Sequence, residues 1–204
     1  MECPTREVRR AAQVKADRSD LRMARTRGRL LGAFSELARH HRYESITVRD
    51  IVATAEVSRS TFYEHFSGKD NLLASSIGGM FGVLADMVVR DDISRLTSLL
   101  DHFRDYGALT RELLNGSASH KVRAVLARQI GTRLKAQGRG NPRRLLLPPR
   151  LAATQLAGMI LATVAGWLNG EGRCDSATLA RGLRRACEGT LAALYTPGNP
   201  VRAR

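Results

Sequence analysis

Apolar residues recur at three- and four-residue steps along most of the chain, and no stretch alternates convincingly between apolar and polar positions. The first spacing places side chains on one face of an α-helix, whereas alternation would indicate a β-strand. Leu30, Phe34 and Leu37 show the helical spacing in the first segment that has a clear apolar face. The pattern therefore predicts an all-α protein.

Turn and capping residues divide this helical pattern into segments. Thr47 and Asp50 have the spacing of a capping box, which predicts a helix that starts at the residue after the threonine. Ser58 is a good N-cap for a short helix that ends at Phe66. Glycine, proline and asparagine then separate the later helices, with a loop over residues 138–142. The predicted helices span residues 24–41, 48–55, 59–66, 70–90, 93–114 with a break near Gly107, 119–137, 149–169 and 176–195.

The same breaks predict the domain organisation of the 204-residue chain, a length that accommodates one large or two small domains. Residues 1–23 form a basic arm with few apolar positions, which we expect to be flexible. Residues 24–69 form a three-helix helix-turn-helix domain, and residues 70–196 form a larger helical domain. Residues 197–204 are expected to be a disordered tail.

Two short helices joined by the turn at residues 56–58 form a helix-turn-helix pattern. In the second of these helices Phe62 and Phe66 share one face, because they are four residues apart. The outward positions then carry Arg59, Ser60 and Tyr63. Arginine reads guanine edges, small hydroxyls permit close approach, and tyrosine donates to phosphates, so this face suits the major groove of DNA. On spacing alone, an ordinary solvated helix is the alternative.

The net charge of +14, from 33 Lys and Arg against 19 Asp and Glu, favours a polyanionic partner. Because 29 of the basic residues are arginine, a genome biased towards arginine codons is the alternative explanation. Residues 113–170 contain nine basic residues and no acid, so the excess is not confined to the helix-turn-helix region. Either a solvated helix face or the binding of an acidic effector would account for the excess of basic residues in that segment.

The chain is expected to be cytoplasmic and to have no membrane partner. Its first residues lack the apolar stretch of a secretory signal, and its three cysteines form no CxxC pair, which favours a reducing compartment. Residues 151–168 carry no formal charge and reach the lower length limit of a spanning helix. Their threonine, glutamine and small residues favour a buried helix of an assembly in water instead.

No catalytic residue, metal ligand or cofactor is expected. The sequence contains no Walker loop, dinucleotide-binding glycine fingerprint, HExxH or GxSxG. His40 and His41 are adjacent and so face different sides of a helix, which favours surface residues over metal ligands. Cys174 and Cys187 would be incidental thiols or a redox pair.

The run TVRDIVATAEVSRSTFYEHFSGKDNLL, residues 47–73, resembles the DNA-binding segment of TetR-family (tetracycline-repressor-like) transcriptional regulators. Those proteins carry a threonine at the start of the second helix and an Ala-x-x-Ala-x-Val-Ser turn. A Ser/Gly-Thr-(Phe/Leu)-Tyr-x-(His/Tyr)-Phe recognition helix and a Lys-(Asp/Glu)-x-Leu start of the fourth helix follow. The resemblance covers residues 24–73; beyond them it consists of the number of helices and the run Gly166-Trp167-Leu168. Val52 and Glu56 depart from the pattern, the latter standing where glycine is more usual in the turn.

The resemblance implies a role for each matching position. The residues that match base-facing or near-base positions are Arg59, Ser60 and Thr61. The residues that match contacts with the DNA backbone are Thr47, Tyr63, His65 and Lys69. The implied function is that of a repressor released from a pseudo-palindromic operator in double-stranded DNA by a small-molecule effector. A constitutive DNA-binding or architectural protein without small-molecule input is the alternative.

The larger domain is expected to supply a homodimer interface and an effector pocket, because DNA binding alone needs only the first 70 residues. Small residues of the helix over 149–169 permit close helix approach and leucines of the last helix supply bulk, although an intramolecular core is the alternative there. The predicted interface consists of Gly158, Ala162, Leu183 and Leu191. The predicted pocket consists of Met87, Phe103, Tyr106, Met159 and Trp167, each of which also suits a plain core.

Overall fold

The computed structural model describes residues 6–138 and 145–195, with side chains from residue 20 onward. Over these residues the protein is all-α, with nine helices and no strand, as predicted. The helices are α1 (Arg6–His40), α2 (Val48–Thr54), α3 (Arg59–His65), α4 (Lys69–Asp86), α5 (Ile93–Asp105), α6 (Gly107–Asn115), α7 (Ser119–Gly138), α8 (Pro149–Asn169) and α9 (Ser176–Leu194).

Helix α1 begins at Arg6 instead of residue 24, so residues 6–23, predicted as an arm before the first helix, are helical. This segment contains no glycine or proline and is rich in Arg and Ala, both of which have high helix propensity. It lacks a regular apolar face, which is why periodicity did not reveal it. The predicted loop beyond Gly138 and the tail at 197–204 lie outside the described residues.

The chain divides into an N-terminal unit, Met1–Ser76, and a C-terminal unit, Ile77–Arg204. The boundary falls within α4, seven residues later than the predicted end of the helix-turn-helix domain. The first two turns of α4 belong to the N-terminal unit because Leu72 and Leu73 are buried there. The core of this unit is completed by Leu30, Phe34, Ile51, Phe62 and Phe66, which are at most 2% exposed.

In the C-terminal unit, α8 packs against α6, α7 and α9, and α5 packs against α9. The predicted break near Gly107 separates α5 from α6. Helix α8 is the one helix in the described part of the chain that is long and apolar enough to span a membrane. Eight of its residues, among them Leu156, Ile160 and Val164, are buried. This packing identifies α8 as a core helix of the unit.

Candidate nucleic-acid interface

Local capping interactions set the start of α2, as predicted. The backbone N–H of Thr47 donates to Oδ2 of Asp50 over 2.9 Å, and the backbone N–H of Asp50 donates to Oγ1 of Thr47 over 3.2 Å. These two bonds form a complete capping box. The hydrogen bonds from the Thr47 side chain and backbone lower the pKa of Asp50, so the carboxylate stays charged beside the positive end of the helix dipole.

The N-terminus of α3 carries a cluster of three hydroxyl groups. Oγ of Ser58 accepts a hydrogen bond from the backbone N–H of Thr61 over 3.0 Å, which makes it the N-cap of the helix. The same oxygen lies 2.7 Å from Oγ of Ser60 and 2.8 Å from Oγ1 of Thr61. The hydroxyls at the start of α3 are therefore ordered by the cap before any partner binds.

Burial of Phe62 and Phe66 orients the rest of α3. These rings are 0% and 1% exposed, so the opposite face of the helix points away from the core of the N-terminal unit. Tyr63 is 48% exposed, and the guanidinium carbon of Arg59 lies 5.8 Å from the centroid of its ring. The exposed residues of α3 are Arg59, Ser60, Tyr63 and Glu64, while Thr61 and His65 are half-buried at the edges. Sequence reasoning did not single out Glu64, whose carboxylate can accept a hydrogen bond from a cytosine amino group.

The turn between α2 and α3 accommodates glutamate where a glycine is more usual. Glu56 has φ of 50°, a left-handed conformation that carries a steric cost for residues with a Cβ. Nη2 of Arg29 lies 3.2 Å from both the backbone oxygen and Oε2 of Glu56. Arginine from α1 thus holds the strained residue in place, and the turn keeps its geometry without glycine.

Lys69, for which the resemblance implies a phosphate contact, is bound to the protein's own backbone in this structure. Its ammonium donates to the backbone oxygens of Tyr43 and Ile46, each over 2.7 Å, and to that of Glu44 over 3.3 Å. It also lies 4.3 Å from the centroid of the Tyr43 ring. All three donors of the ammonium are therefore directed at the turn between α1 and α2, and this structure gives the residue a folding role.

Tyr43 and Asp70 form a second tie between the same turn and the start of α4. The phenol of Tyr43 donates to the Asp70 carboxylate. Burial of the ring, together with this hydrogen bond, raises the pKa of Tyr43. The two residues are 27 positions apart, and no local sequence signal indicates the pair. The adjacent Lys69 and Asp70 thus both fix the turn between α1 and α2 to the start of α4.

The five predicted pocket residues have different environments in the C-terminal unit. Met87 and Phe103 are buried, 4% and 5% exposed, and serve the core. Tyr106 is 45% exposed and packs on the His102 ring, while Sδ of Met159 lies 3.7 Å from Oγ1 of Thr190. Trp167 lines a surface cavity of about 480 Å³. The other residues around that cavity are Arg104, Arg111, Leu168, Gly170, Gly172, Arg173 and Cys174.

The predicted dimer residues fall into two groups. Ala162 is exposed and Gly158 half-buried on the outer side of α8. Leu183 and Leu191 are only 2% and 8% exposed, because α9 packs this face against α5. Both leucines therefore belong to the core of the single chain, and the interface stays a prediction. The exposed side of α9 instead carries small residues that the sequence analysis did not single out, namely Gly182, Ala186, Gly189 and Ala193.

The two described cysteines differ in accessibility. Cys174 is exposed, whereas Cys187 is buried in α9. Burial raises the pKa of the Cys187 thiol to about 11. Because the thiolate is the reactive form, Cys187 is poorly suited to a redox switch. Cys3 lies outside the described residues.

The fold and the exposed face of α3 define a helix-turn-helix protein with a second, helical domain. A sequence model described as "Bacterial regulatory proteins, tetR family" matches residues 30–75, from α1 into α4. YxbF, an uncharacterized HTH-type transcriptional regulator of Bacillus subtilis, is 39% identical over 64 residues. That segment is 31% of this chain and only 17% of YxbF, so the chain spans a small part of the length of this relative.

The fold as a whole is similar to that of a TetR transcriptional regulator from Streptococcus agalactiae. That structure superposes with a TM-score of 0.55 and 23% identity, over 84% of this chain and 98% of the other. At this identity the likeness concerns the fold. Together with the match over residues 30–75, it shows that the chain is similar to TetR-family regulators in its helix-turn-helix region and in its fold.

Proposed function

We propose that this chain is a sequence-specific DNA-binding transcriptional regulator, a homodimer that represses from a pseudo-palindromic operator and is released by a small-molecule effector. The observation that supports DNA binding best is the orientation of α3. Its two phenylalanines are buried and its start is capped, so Arg59, Ser60 and Tyr63 stand together on the free face. A helix of this kind enters the major groove with its N-terminal residues nearest the bases.

The roles within this face follow from position and chemistry. Arg59 and Ser60 lie in the first turn of α3 and are proposed to face base edges, with Thr61 beside them. Tyr63 and His65 lie further along the helix and are proposed to donate to phosphates, as is Thr47 at the N-terminus of α2. Lys69 is omitted from this set because its ammonium is bound to backbone carbonyls.

Variants of two residues on α3 test the DNA-binding proposal. DNA fragments selected from a random pool by the purified protein define the operator. Tyr63→Phe should then weaken binding about fivefold on every sequence, because a phosphate contact carries no base information. Arg59→Ala should relax preference at one position per half-site and cost about 1–3 kcal/mol if it makes a bidentate guanine contact.

Arg39→Ala is the matched control for that experiment, since Arg39 is exposed and pairs with Glu36 near the end of α1. Its operator affinity should equal that of the wild type. Wild-type affinity and sequence preference in both α3 variants would contradict the assignment of this face.

Dimerisation is proposed because one short recognition helix reads too few base pairs for specificity, and two copies bind successive major grooves. The exposed small residues of α8 and α9 offer a surface on which helices can approach closely. A Cβ added at Gly158, Gly182 or Gly189 would meet no atom of the same chain within 4 Å. The proposed seam therefore comprises the outer faces of α8 and α9, with Gly158 and Ala162 retained from the sequence prediction.

The effector is proposed to bind the cavity beside Trp167. Its volume of about 480 Å³ suits a small organic molecule. The indole offers an apolar surface, and three arginines line the cavity, of which Arg104 is paired with Asp101 over 2.7 Å. One of them, Arg111, is oriented by a 3.2 Å bond from Nη1 to the backbone oxygen of Leu168. An amphipathic anion matches this combination better than the neutral apolar compound that a pocket of Met and Phe would favour.

Trp167 is the single tryptophan of the chain, so its fluorescence reports on this cavity alone. A panel of aromatic and aliphatic carboxylates, each paired with its neutral amide, should contain an acid that changes the fluorescence and releases operator DNA. A hundredfold loss of DNA affinity requires a coupling free energy of about 2.7 kcal/mol. Arg173→Gln should weaken the response to the acid.

The outcomes of this titration separate three cases. An acid that releases DNA without a fluorescence change, and equally in the Arg173 variant, would place the effector elsewhere. If no compound alters DNA affinity, the constitutive DNA-binding protein is the better description of this chain.

A further inference from the structure

We propose that a stripe of arginines on α1 forms a second DNA-binding surface, which holds the phosphate backbone beside the recognition helix and lengthens the contact of each half-site. This inference rests on the proposed DNA-binding function. It concerns residues 21–29, for which neither the sequence motif nor the resemblance implied a role in binding DNA.

The surface is a cavity of about 670 Å³ within the N-terminal unit. From α1 it is lined by Arg22, Arg25 and Arg29, which are spaced by three and four residues and so share one face of the helix. On the other side it is lined by the turn before α3 and by Thr61. The remaining lining residues are Leu21, Thr26, Glu56 and Val57.

The charges in the cavity favour an anion. Three guanidinium groups face one carboxylate, and that carboxylate is engaged by Arg29 through the 3.2 Å ion pair with Glu56. Within the described part of the chain, the guanidinium groups of Arg22 and Arg25 form no ion pair with an acidic side chain. These two groups carry the excess positive charge of the cavity.

The neighbouring Arg27 provides an internal comparison, because it lies on a different face of α1 and serves the fold. Its guanidinium donates to Oγ of Ser75 over 3.0 Å and lies 4.6 Å from the centroid of the Phe66 ring. Where the fold places a suitable side chain nearby, as for Arg27, an arginine in this part of α1 contacts that side chain. The stripe at Arg22 and Arg25 instead borders a solvent-filled cavity next to α3.

The position of Thr61 identifies the anion as the DNA backbone. Thr61 lies in the first turn of α3, the end that is proposed to approach the bases, so an anion in this cavity lies beside the groove that α3 enters. Arg22 and Arg29 are seven positions apart, which corresponds to about 10.5 Å along the helix axis. One DNA strand presents a phosphate about every 3.4 Å along its axis, so the stripe can face two or three phosphates in succession.

The test compares two double variants of the full chain on the operator selected by the wild type. Arg22→Gln with Arg25→Gln removes the stripe, and Arg39→Gln with Arg42→Gln removes the same charge from exposed positions near the other end of α1. Affinity is measured by fluorescence anisotropy at salt concentrations between about 50 and 200 mM. The stripe variant should bind at least about tenfold more weakly on every sequence.

The salt dependence gives the sharper readout. Each phosphate that the variant no longer neutralises should reduce the slope of log K against log salt by about 0.9, so two phosphates in each half-site of a dimer correspond to about 3.6. The slope of the Arg39 and Arg42 variant should stay within about 1 of the wild-type value. Thermal melting shows whether each variant is folded.

Glu56→Gln should change DNA affinity in the opposite direction. General damage to the fold would not strengthen DNA binding, so this variant excludes it as the cause of the effect. It removes the carboxylate from the cavity and leaves Arg29 without its ion pair, which should tighten binding and steepen the salt dependence. If the wild type selects no DNA, the proposed function itself fails. If the wild type binds its operator, and the stripe variant keeps the affinity and slope of the matched control, this inference is overturned and the proposed function stands.

Discussion

Leu183→Glu is expected to unfold the C-terminal unit, whereas Gly158→Leu should leave it folded and separate the two copies of the proposed homodimer. Leu183 is 2% exposed in the face of α9 that packs on α5. A glutamate there removes the apolar packing of the leucine and buries a carboxylate without a partner, which costs several kcal/mol at least. That cost is comparable with the whole stability of a domain, about 5–15 kcal/mol.

At Gly158, by contrast, a larger side chain should not disturb the single chain. An added Cβ meets no atom within 4 Å, and leucine has a higher helix propensity than glycine by about 0.8 kcal/mol. The monomer should therefore stay folded, while the larger side chain keeps the two copies of α8 apart. Without the dimer, affinity for a two-half-site operator should fall at least about a hundredfold, since the second recognition helix no longer binds together with the first.

Sedimentation, thermal melting and operator binding distinguish these outcomes. Leu183→Glu should lose its cooperative melting transition, and Gly158→Leu should sediment as a folded monomer. A wild-type melting curve for Leu183→Glu would contradict the burial of this face. If Gly158→Leu remains a dimer at micromolar concentration, the outer face of α8 is not the seam.

Lys69→Ala should destabilise the N-terminal unit by about 3–5 kcal/mol, because hydrogen bonds from a charged donor contribute about 1.5–3 kcal/mol each. The variant removes two 2.7 Å bonds to the carbonyls of Tyr43 and Ile46 and a longer one to Glu44. It also removes the cation–π contact with the Tyr43 ring. These carbonyls belong to the segment between α1 and α2, so the helix-turn-helix should melt at a markedly lower temperature.

The same variant separates the folding role of Lys69 from the phosphate contact that the family resemblance implied. Lys135→Ala is the control, since Lys135 is an exposed lysine near the end of α7. A lower melting temperature, with DNA affinity recovered at a temperature where the variant is folded, supports the folding role. Wild-type melting with a uniform loss of DNA affinity would support the phosphate contact instead.

Short-range interactions allowed the sequence to predict α2 and α3 closely. The capping box of Thr47 and Asp50 and the N-cap Ser58 involve residues three positions apart, so both partners are visible in the sequence. The pair Phe62 and Phe66 then determines the rotation of α3, because both rings are large, apolar and on one side of a short helix. The exposed face of the recognition helix follows from these local facts without knowledge of the fold.

Other residues owe their environment to partners far along the chain. Tyr43 meets Asp70 across 27 positions, and Lys69 reaches the same turn, which no periodic pattern indicates. Likewise, the arginines of α1 flank Thr61 only because α1 crosses the turn before α3. In such cases the sequence determined which groups were present, and the tertiary structure decided which group each one meets.

Helix α9 shows the physical reason most directly. Its sequence has a face of leucines and a face of small residues, and either can be buried against another helix. Hydrophobic burial favours the face that removes more apolar area from water, but only where a complementary surface is available. Because α5 supplies that surface within the chain, Leu183 and Leu191 belong to the core, and the small residues are left outside. The sequence alone determined that α9 is an amphipathic helix; its orientation was decided by α5.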